Sequence, residues 1–344
     1  MTQLLLPSFF LSLIGIFNLF GIKESLAITQ SFYLIAGFLA FFIVKKIGRN
    51  FFADNSQLFY WVFILILFLT FFFGLEARGS RRWISLYLFN FQGSEFFKAF
   101  FILFFAFLLV KDFRLENSVK LFLRSLFYFL VPAMLIFKQP DLGNAAVYFI
   151  IFLMLVLFSE MPKKYIFYFC LILFICLPLG WKFMKNYQKE RIISFFNPYL
   201  DQQGTAYNMT QSIITVGSGK FIGKGLGLGT QSRFYFLPEN HTDFAYSSLV
   251  EQFGFIGGIT VIILYLIIIF LLVRRLIKFY FKRDTDSKKK FLYLAGFLTY
   301  FIFQTVINLS MNLGLFPVTG IALPFISYGG SSLVATMIGI ALLP

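Results

Sequence analysis

Apolar residues in this chain come in long unbroken runs. Trp61 to Gly74 and Ile259 to Val273 carry no charge, and such runs approach the roughly 20 residues that an α-helix needs to cross bilayer hydrocarbon. The pattern predicts helices near 4–20, 26–44, 58–74, 96–110, 121–137, 142–158, 165–183, 244–273, 291–314 and 322–342. The expected fold is therefore all-α and polytopic, an integral membrane protein of about ten transmembrane helices forming one domain over 1–344. The break at Lys138, Gln139, Pro140 and Asp141 is short enough for a tight hairpin or a re-entrant bend.

Composition strengthens this reading: 59% of residues are hydrophobic, 22% aromatic and 13% charged. Soluble chains average about 45–50% apolar and about 25% charged, so a water-soluble domain is excluded. Fifty-four Phe, 17 Tyr and only 10 Pro argue against disorder. The net charge of +15 would point to nucleic acid in a soluble protein. In a membrane chain it reflects the positive-inside rule and contact with anionic headgroups, so membrane lipids are expected as partners and nucleic acid is not. Cys170 and Cys176 share one apolar segment, and His241 is the only histidine, which leaves no Cys/His metal spacing. The N-terminus lacks a basic region and a small-residue cleavage site and reads as a retained first span.

Basic residues set the expected orientation. With the N-terminus in the cytoplasm, the inner loops and their edges hold Lys45, Lys46, Arg49, Lys111, Arg114, Lys120, Arg124, Lys163, Lys164 and eight more between Arg274 and Lys290. The short outer loops hold Lys23, Arg78, Arg81, Arg82, Lys98 and Lys138. Both termini are then cytoplasmic, and segment 184–242, between the seventh and eighth helices, is extracytoplasmic. This segment is polar and basic and contains six glycines from Gly217 to Gly229. A structureless loop of that length is improbable in a compact protein, so short helices over the outer mouth of the bundle are expected. No internal repeat is found, which counts against an inverted-repeat transporter.

Charges at membrane depth are costly, so those near the outer ends of spans form a candidate site: Arg81, Arg82, Glu95, Lys98, Asp141, Arg191, Glu239 and Asp243. Arg81 and Arg82 precede Trp83 and read as a headgroup anchor or a substrate contact. Glu95 and Lys98, three apart at a helix start, read as a structural ion pair. The cluster Gly217 to Gly225 fails as a P-loop, because Ser218 stands where a Gly is needed and Gly225 follows Lys224 where Ser or Thr is needed. What remains is a mobile or tightly turned backbone with exposed N–H groups beside Lys220, Lys224 and Arg233, suited to a phosphate-bearing ligand. Asp243, where the polar loop meets the eighth span, is either an N-cap or a carboxylate poised as a general base.

These motifs accumulate into a resemblance. Ser80 to Ile84, Phe91 to Lys98, Gln139 to Ala145, Arg191 to Pro198, Tyr207 to Gly229 with Gln211 and Ser212, Gly229 to Ser232, Leu237 to Phe244 and Gly314 to Ser332 occur in the order and spacing of the SEDS family. That family comprises the peptidoglycan glycosyltransferases FtsW, RodA and SpoVE. Gly229 to Ser232 and Asn312 to Gly320 resemble the elongation branch, RodA, whereas the division branch often carries Lys where Thr319 stands. Gly93 departs from the family's usual Pro, and Val250, Glu251 and Gln252 replace its Gly-Glu-Glu.

The resemblance implies a lipid II polymerase in the bacterial cytoplasmic membrane, joining glycan strands by β-1,4 transfer for cell elongation and shape. It makes Asp243 the essential carboxylate, as base or metal ligand. Arg191, Lys224 and Arg233 become candidates to hold the diphosphate, with Arg81, Arg82, Gln211, Gln231 and Glu239 as further substrate contacts. A divalent cation, Mg or Mn, bridging Asp243 and diphosphate is expected, with no organic cofactor. The expected partner is a class B penicillin-binding protein, a transpeptidase. The competing readings are a flippase for the lipid-linked precursor and a non-catalytic scaffold of the elongation or division machinery. Nearly charge-free midspans with polar groups gathered at one face favour the one-sided enzyme.

Overall fold

In lipid a backbone N–H or C=O must be bonded within its own segment, and the apolar runs accordingly wind into helices. The computed structural model describes residues 2–77, 80–85, 89–111, 118–184, 186–197 and 204–344. Arg78, Arg114 and Pro198, named above, lie outside the described residues. The chain opens with α1 (Thr2–Ile22), α2 (Glu24–Ile47), α3 (Arg49–Asp54) and α4 (Ser56–Phe73). Helices α5 (Gly93–Lys111), α6 (Ser118–Lys138), α7 (Leu142–Phe158) and α8 (Lys164–Phe183) follow. Three short helices come next, α9 (Asn186–Phe196), α10 (Thr205–Ser218) and α11 (Thr230–Arg233), and then α12 (Ala245–Tyr280), α13 (Thr285–Asn312) and α14 (Gly330–Ala341).

Among the described residues, seven helices are long and apolar enough to cross a membrane: α1, α2, α4, α5, α6, α12 and α13. Three shorter apolar helices, Leu142–Phe158, Lys164–Cys176 and Gly330–Ala341, stand at the other expected positions. Beyond its first turns, which carry Glu95 and Lys98, helix α5 is apolar all round, and it is almost wholly buried, the signature of a central helix. It packs against α4, α7, α13 and α14. On α2 the division is one-sided: Leu34, Gly37, Phe41 and Val44 face inward, while Phe32, Ile35, Leu39 and Phe42 are exposed in a stripe suited to lipid.

Helix α12 is broken at Gly254, whose φ of +69 and ψ of −169 are not helical. The glycine-rich loop repairs the broken ladder. Lys224 N donates to Glu251 O (2.9 Å) and Gly225 N to Gln252 O (3.0 Å), while Phe255 N donates to Lys220 O (2.9 Å). A Cβ on Gly254 would sit 2.3 Å from Gly223 N, so the approach of the two backbones requires glycine. The expected exposed N–H groups of this loop are therefore corrected: those of Gly223, Lys224 and Gly225 are bonded to carbonyls. The cluster serves helix completion.

Two further expectations change. The helix expected over 322–342 begins only at Gly330. Pro324 lacks a donor and biases Leu323 away from the α region, and Gly320 and Gly329 take φ of +71 and +157, so the preceding segment cannot be helical. It is nevertheless buried at Ile321, Leu323, Phe325 and Ile326, and neighbours satisfy its carbonyls. Asn308 Nδ2 donates to Ile321 O (2.7 Å) and the Tyr265 hydroxyl to Pro324 O. Irregular backbone at membrane depth is tolerated only under such cover. Second, the otherwise helical fold carries a small antiparallel sheet, β1 (Leu75–Ala77), β2 (Ser80–Ser85) and β3 (Asn90–Phe91), in the order β1-β2-β3.

Candidate active site

The turn carrying Asp243 is fixed through its main chain. The Asp243 carbonyl accepts from Asn308 Nδ2 (3.1 Å) and Asn312 Nδ2 (3.0 Å), two fully buried amides four residues apart on α13. The preceding carbonyls are held too: Ser327 Oγ donates to Thr242 O (2.6 Å), and Tyr328 N to His241 O (2.8 Å). Within the turn, Thr242 and Phe244 donate their N–H groups to Glu239 O, and Thr242 Oγ1 donates to Glu239 Oε2 (2.8 Å). Asn240 Nδ2 reaches Ser232 O (2.5 Å) and ties the turn to α11.

Asp243 lies one residue before the N-cap position of α12, which is Phe244. Part of the capping is done from another helix, for Asn312 Oδ1 accepts from Ser247 N (3.0 Å). The carboxylate itself faces Gly320. A Cβ on that glycine would lie 3.7 Å from Asp243 Oδ2 and 4.0 Å from Arg191 Nη1. An anionic oxygen and a guanidinium from α9 thus converge on a position without a side chain. All three residues are partly exposed.

The remaining expected site residues divide into groups. Lys224 and Gln231 gather on Glu251, a carboxylate with no exposed surface. Its Oε1 accepts from Lys224 Nζ and from Gln231 N, each at 2.9 Å, and its Oε2 from Ser232 N (2.9 Å) and Ser232 Oγ (2.6 Å). The Lys224 ammonium also reaches Thr230 Oγ1 (2.9 Å), so its charge is engaged by the protein. Arg233 is exposed and donates to Gly227 O (3.0 Å). Gln211 donates to the Tyr207 hydroxyl (3.2 Å), which in turn donates to Phe236 O (3.0 Å). The side-chain oxygens of Gln211 and Gln231 are buried without a partner among the described residues.

Arg81 and Arg82 do not act as a pair. In a strand, successive side chains point to opposite faces. Arg81 forms an exposed ion pair with Glu76 (2.9 Å). Arg82 turns inward instead, donating to Gln139 O (3.3 Å) and Pro140 O and lying 3.7 Å from Asp141 Oδ1. Asp141 caps α7 by accepting from Asn144 N (3.2 Å), so the break between α6 and α7 is a hairpin clamped by Arg82. Glu95 and Lys98 form a buried ion pair at 2.7 Å, with the ammonium 5.3 Å from the centre of the Tyr300 ring.

Sequence reasoning missed Asn308, Asn312, Glu251, Gly320 and Ser327. The signal for three of them was available: amides four apart on one face of a span, and a carboxylate two turns into another, are polar groups that hydrocarbon would not accept. The role of Gly320 needed the fold. The departure at Gln252 also has a structural sense. Its Nε2 donates to Asn18 O (3.0 Å) and Asn18 Oδ1 (2.8 Å), while its Oε1 accepts from Gly227 N (3.1 Å), and an ionised carboxylate could not both donate and accept.

Among the described residues no three His, Cys, Asp or Glu side chains group to hold a metal. The model for FtsW, RodA and SpoVE, described as cell cycle proteins, matches residues 5–344. The chain belongs to this family. It is 33% identical over 321 residues to the probable peptidoglycan glycosyltransferase FtsW of Buchnera aphidicola subsp. Schizaphis graminum, covering 91% of this chain and 88% of that one. To the peptidoglycan glycosyltransferase RodA of Treponema pallidum it is 31% identical, covering 91% and 88%. Its fold resembles a chain solved in a peptidoglycan synthase complex that coordinates polymerization and crosslinking, with a TM-score of 0.82, 27% identity and coverage of 99% and 96%. Family membership and the apolar helices together make it an integral membrane protein of many passes.

Proposed function

We propose that this chain is a peptidoglycan glycosyltransferase that polymerises lipid II at the outer face of the cytoplasmic membrane, with both termini in the cytoplasm. The observation that carries the reading is the convergence of Asp243 Oδ2 and Arg191 Nη1 on Gly320, over a main chain anchored by Asn308 and Asn312. Asp243 takes the proton from the C4 hydroxyl of one lipid II. That oxygen bonds to the anomeric carbon of the growing glycan, and the bond from this carbon to undecaprenyl diphosphate breaks. Arg191 offsets the charge that develops on the departing diphosphate. A divalent cation suits this donor set only if Asp243 is its protein ligand and the substrate diphosphate and water supply the rest, as hard cations allow. It would add positive charge beside the diphosphate.

The elongation role and a class B penicillin-binding partner belong to the same proposal. Thr319 and Gly229 to Ser232 support the first, and similarity to a chain of a synthase complex supports the second. The test is purified wild type and Asp243→Asn, given lipid II in the presence of the transpeptidase. The amide keeps shape but takes no proton, so polymer falls by about 10²- to 10⁴-fold in a folded variant. Polymer within a few-fold of wild type would move the base to Glu239. Translocation without polymer would establish the flippase, and neither activity the scaffold.

A further inference from the structure

Beyond its break at Gly254, helix α12 runs from Phe255 to Tyr280, so at about 1.5 Å per residue its far end lies roughly 40 Å from the break and far from the Asp243 turn. At that end a cavity of about 620 Å³ opens between the ends of α5, α7 and α12 and the start of α13. Aromatic rings form its floor, with Phe291 packed 5.7 Å from Tyr280 and 5.9 Å from Phe158. Lys282, Arg283 and Lys288 form its rim. One acidic group, Glu160, lines the same cavity and pairs with Lys288, while Asp286 pairs with Lys290 and Asp284 accepts from Ser287 N (2.8 Å). At the rim Lys282, Arg283 and Lys288 stand against Glu160 alone, so a positive surplus remains on Lys282 and Arg283.

Three of these helices, α7, α12 and α13, also line an apolar groove of about 310 Å³. Phe158 lines both, and the groove runs past Met154 on α7, Leu276 on α12 and Leu298 and Phe303 on α13. From Phe291 to Ile307 the wall along α13 is about 24 Å long, more than the roughly 15 Å of one hydrocarbon leaflet. A charged mouth that meets an apolar groove at Phe158 matches a molecule that is phosphate at one end and hydrocarbon at the other.

We propose that this cavity and groove bind one anionic glycerophospholipid, with its phosphate between Lys282 and Arg283, beside the Lys288–Glu160 pair, and one acyl chain between α7, α12 and α13. The site is separate from the Asp243 turn and does not rest on the transferase reading. Charge alone would attract many headgroups diffusely; the groove adds the register that selects one lipid.

The test reconstitutes the full chain in vesicles of equal parts phosphatidylcholine and phosphatidylglycerol, extracts it gently and counts retained lipids by native mass spectrometry. Wild type retains one phosphatidylglycerol, and K282A/R283A lowers that occupancy roughly 30-fold. A control, K45A/K46A, removes the same formal charge from the end of α2 and leaves occupancy unchanged. Leu298→Trp, which fills the groove with the cations intact, also lowers occupancy, and added inorganic phosphate does not displace the lipid. Equal loss in K45A/K46A, or no preference over phosphatidylcholine, overturns the proposal. So does full retention in Leu298→Trp, the outcome expected if the groove seats a partner's membrane helix. Thermal midpoints of all three variants, matched to wild type, keep the comparison free of unfolding.

Discussion

Replacing Lys224 by Met tests whether Glu251 organises the loop from Gly223 to Arg233. The carboxylate has no exposed surface and accepts from one ammonium, two backbone N–H groups and the Ser232 hydroxyl. Deleting the ammonium leaves a buried charge with neutral donors only, a change that costs about 3–5 kcal/mol in buried pairs. Glu251→Gln keeps the shape but turns an NH₂ toward groups that themselves donate, and losing even one hydrogen bond to a charged group costs about 1.5–3 kcal/mol. The double variant removes both charges together, so its loss falls well short of the two single losses combined. Hydrogen–deuterium exchange reads this locally. Opening made easier by about 3 kcal/mol accelerates exchange by about 10²-fold, and the rise should concentrate at Gln231 and Ser232, whose N–H groups Glu251 holds. Additive damage in the double variant, or unchanged exchange at those two residues, would refute the role given to Glu251.

Glu95→Ala strands Lys98 in the core at a cost of about 3–5 kcal/mol, and adding Lys98→Ala restores part of it; thermal midpoints that fall additively would show the two uncoupled. Gly320→Ala puts a methyl in ordinary contact with Asp243 and Arg191 while straining φ of +71 by about 1–2 kcal/mol. The protein folds, and lipid II polymerisation drops on the order of 10²-fold through misplacement at the site; undiminished polymer would show that substrate avoids this gap. For orientation, Ile222→Cys and Phe281→Cys, both 78% exposed, are placed in a chain whose own cysteines are replaced. A membrane-impermeant thiol reagent on intact cells labels the first and spares the second, and the reverse pattern inverts the topology.

Hydrophobic runs located the helices because lipid and protein interior reward the same residues. For that reason they could not tell a span from a buried irregular segment: Ile321 to Ile326 is as apolar as its neighbours yet not helical, and only Pro324 and Gly320 betray it. Asp243 was legible as a carboxylate at a span boundary. Its neighbourhood was not, since Arg191 and Gly320 are far from it in sequence and meet it only through packing. Lys224, read as a cation for phosphate, has a counter-ion in the next span that its own loop gave no sign of. Arg81 and Arg82 looked like one double charge until the strand sent them to opposite faces.

The break at Gly254 divides one helix between two solvents. Before it, Ala245 to Gln252 are all buried within protein; after it, Phe255, Ile256, Ile259, Ile263 and Phe270 are exposed on a lipid-facing side. A charged substitution has a different meaning on each side of the break. At the exposed positions beyond Gly254 its cost tracks depth, about 2.5–3.5 kcal/mol at mid-bilayer and less toward the headgroups. Before it, depth is irrelevant and the cost follows what the side chain displaces: Asn18, Asn312 or the loop seated on Glu251. A mutational scan along α12 should therefore be irregular before Gly254 and beyond it smooth only on the lipid-facing positions, interrupted at the buried Val261, Tyr265, Ile268 and Leu272.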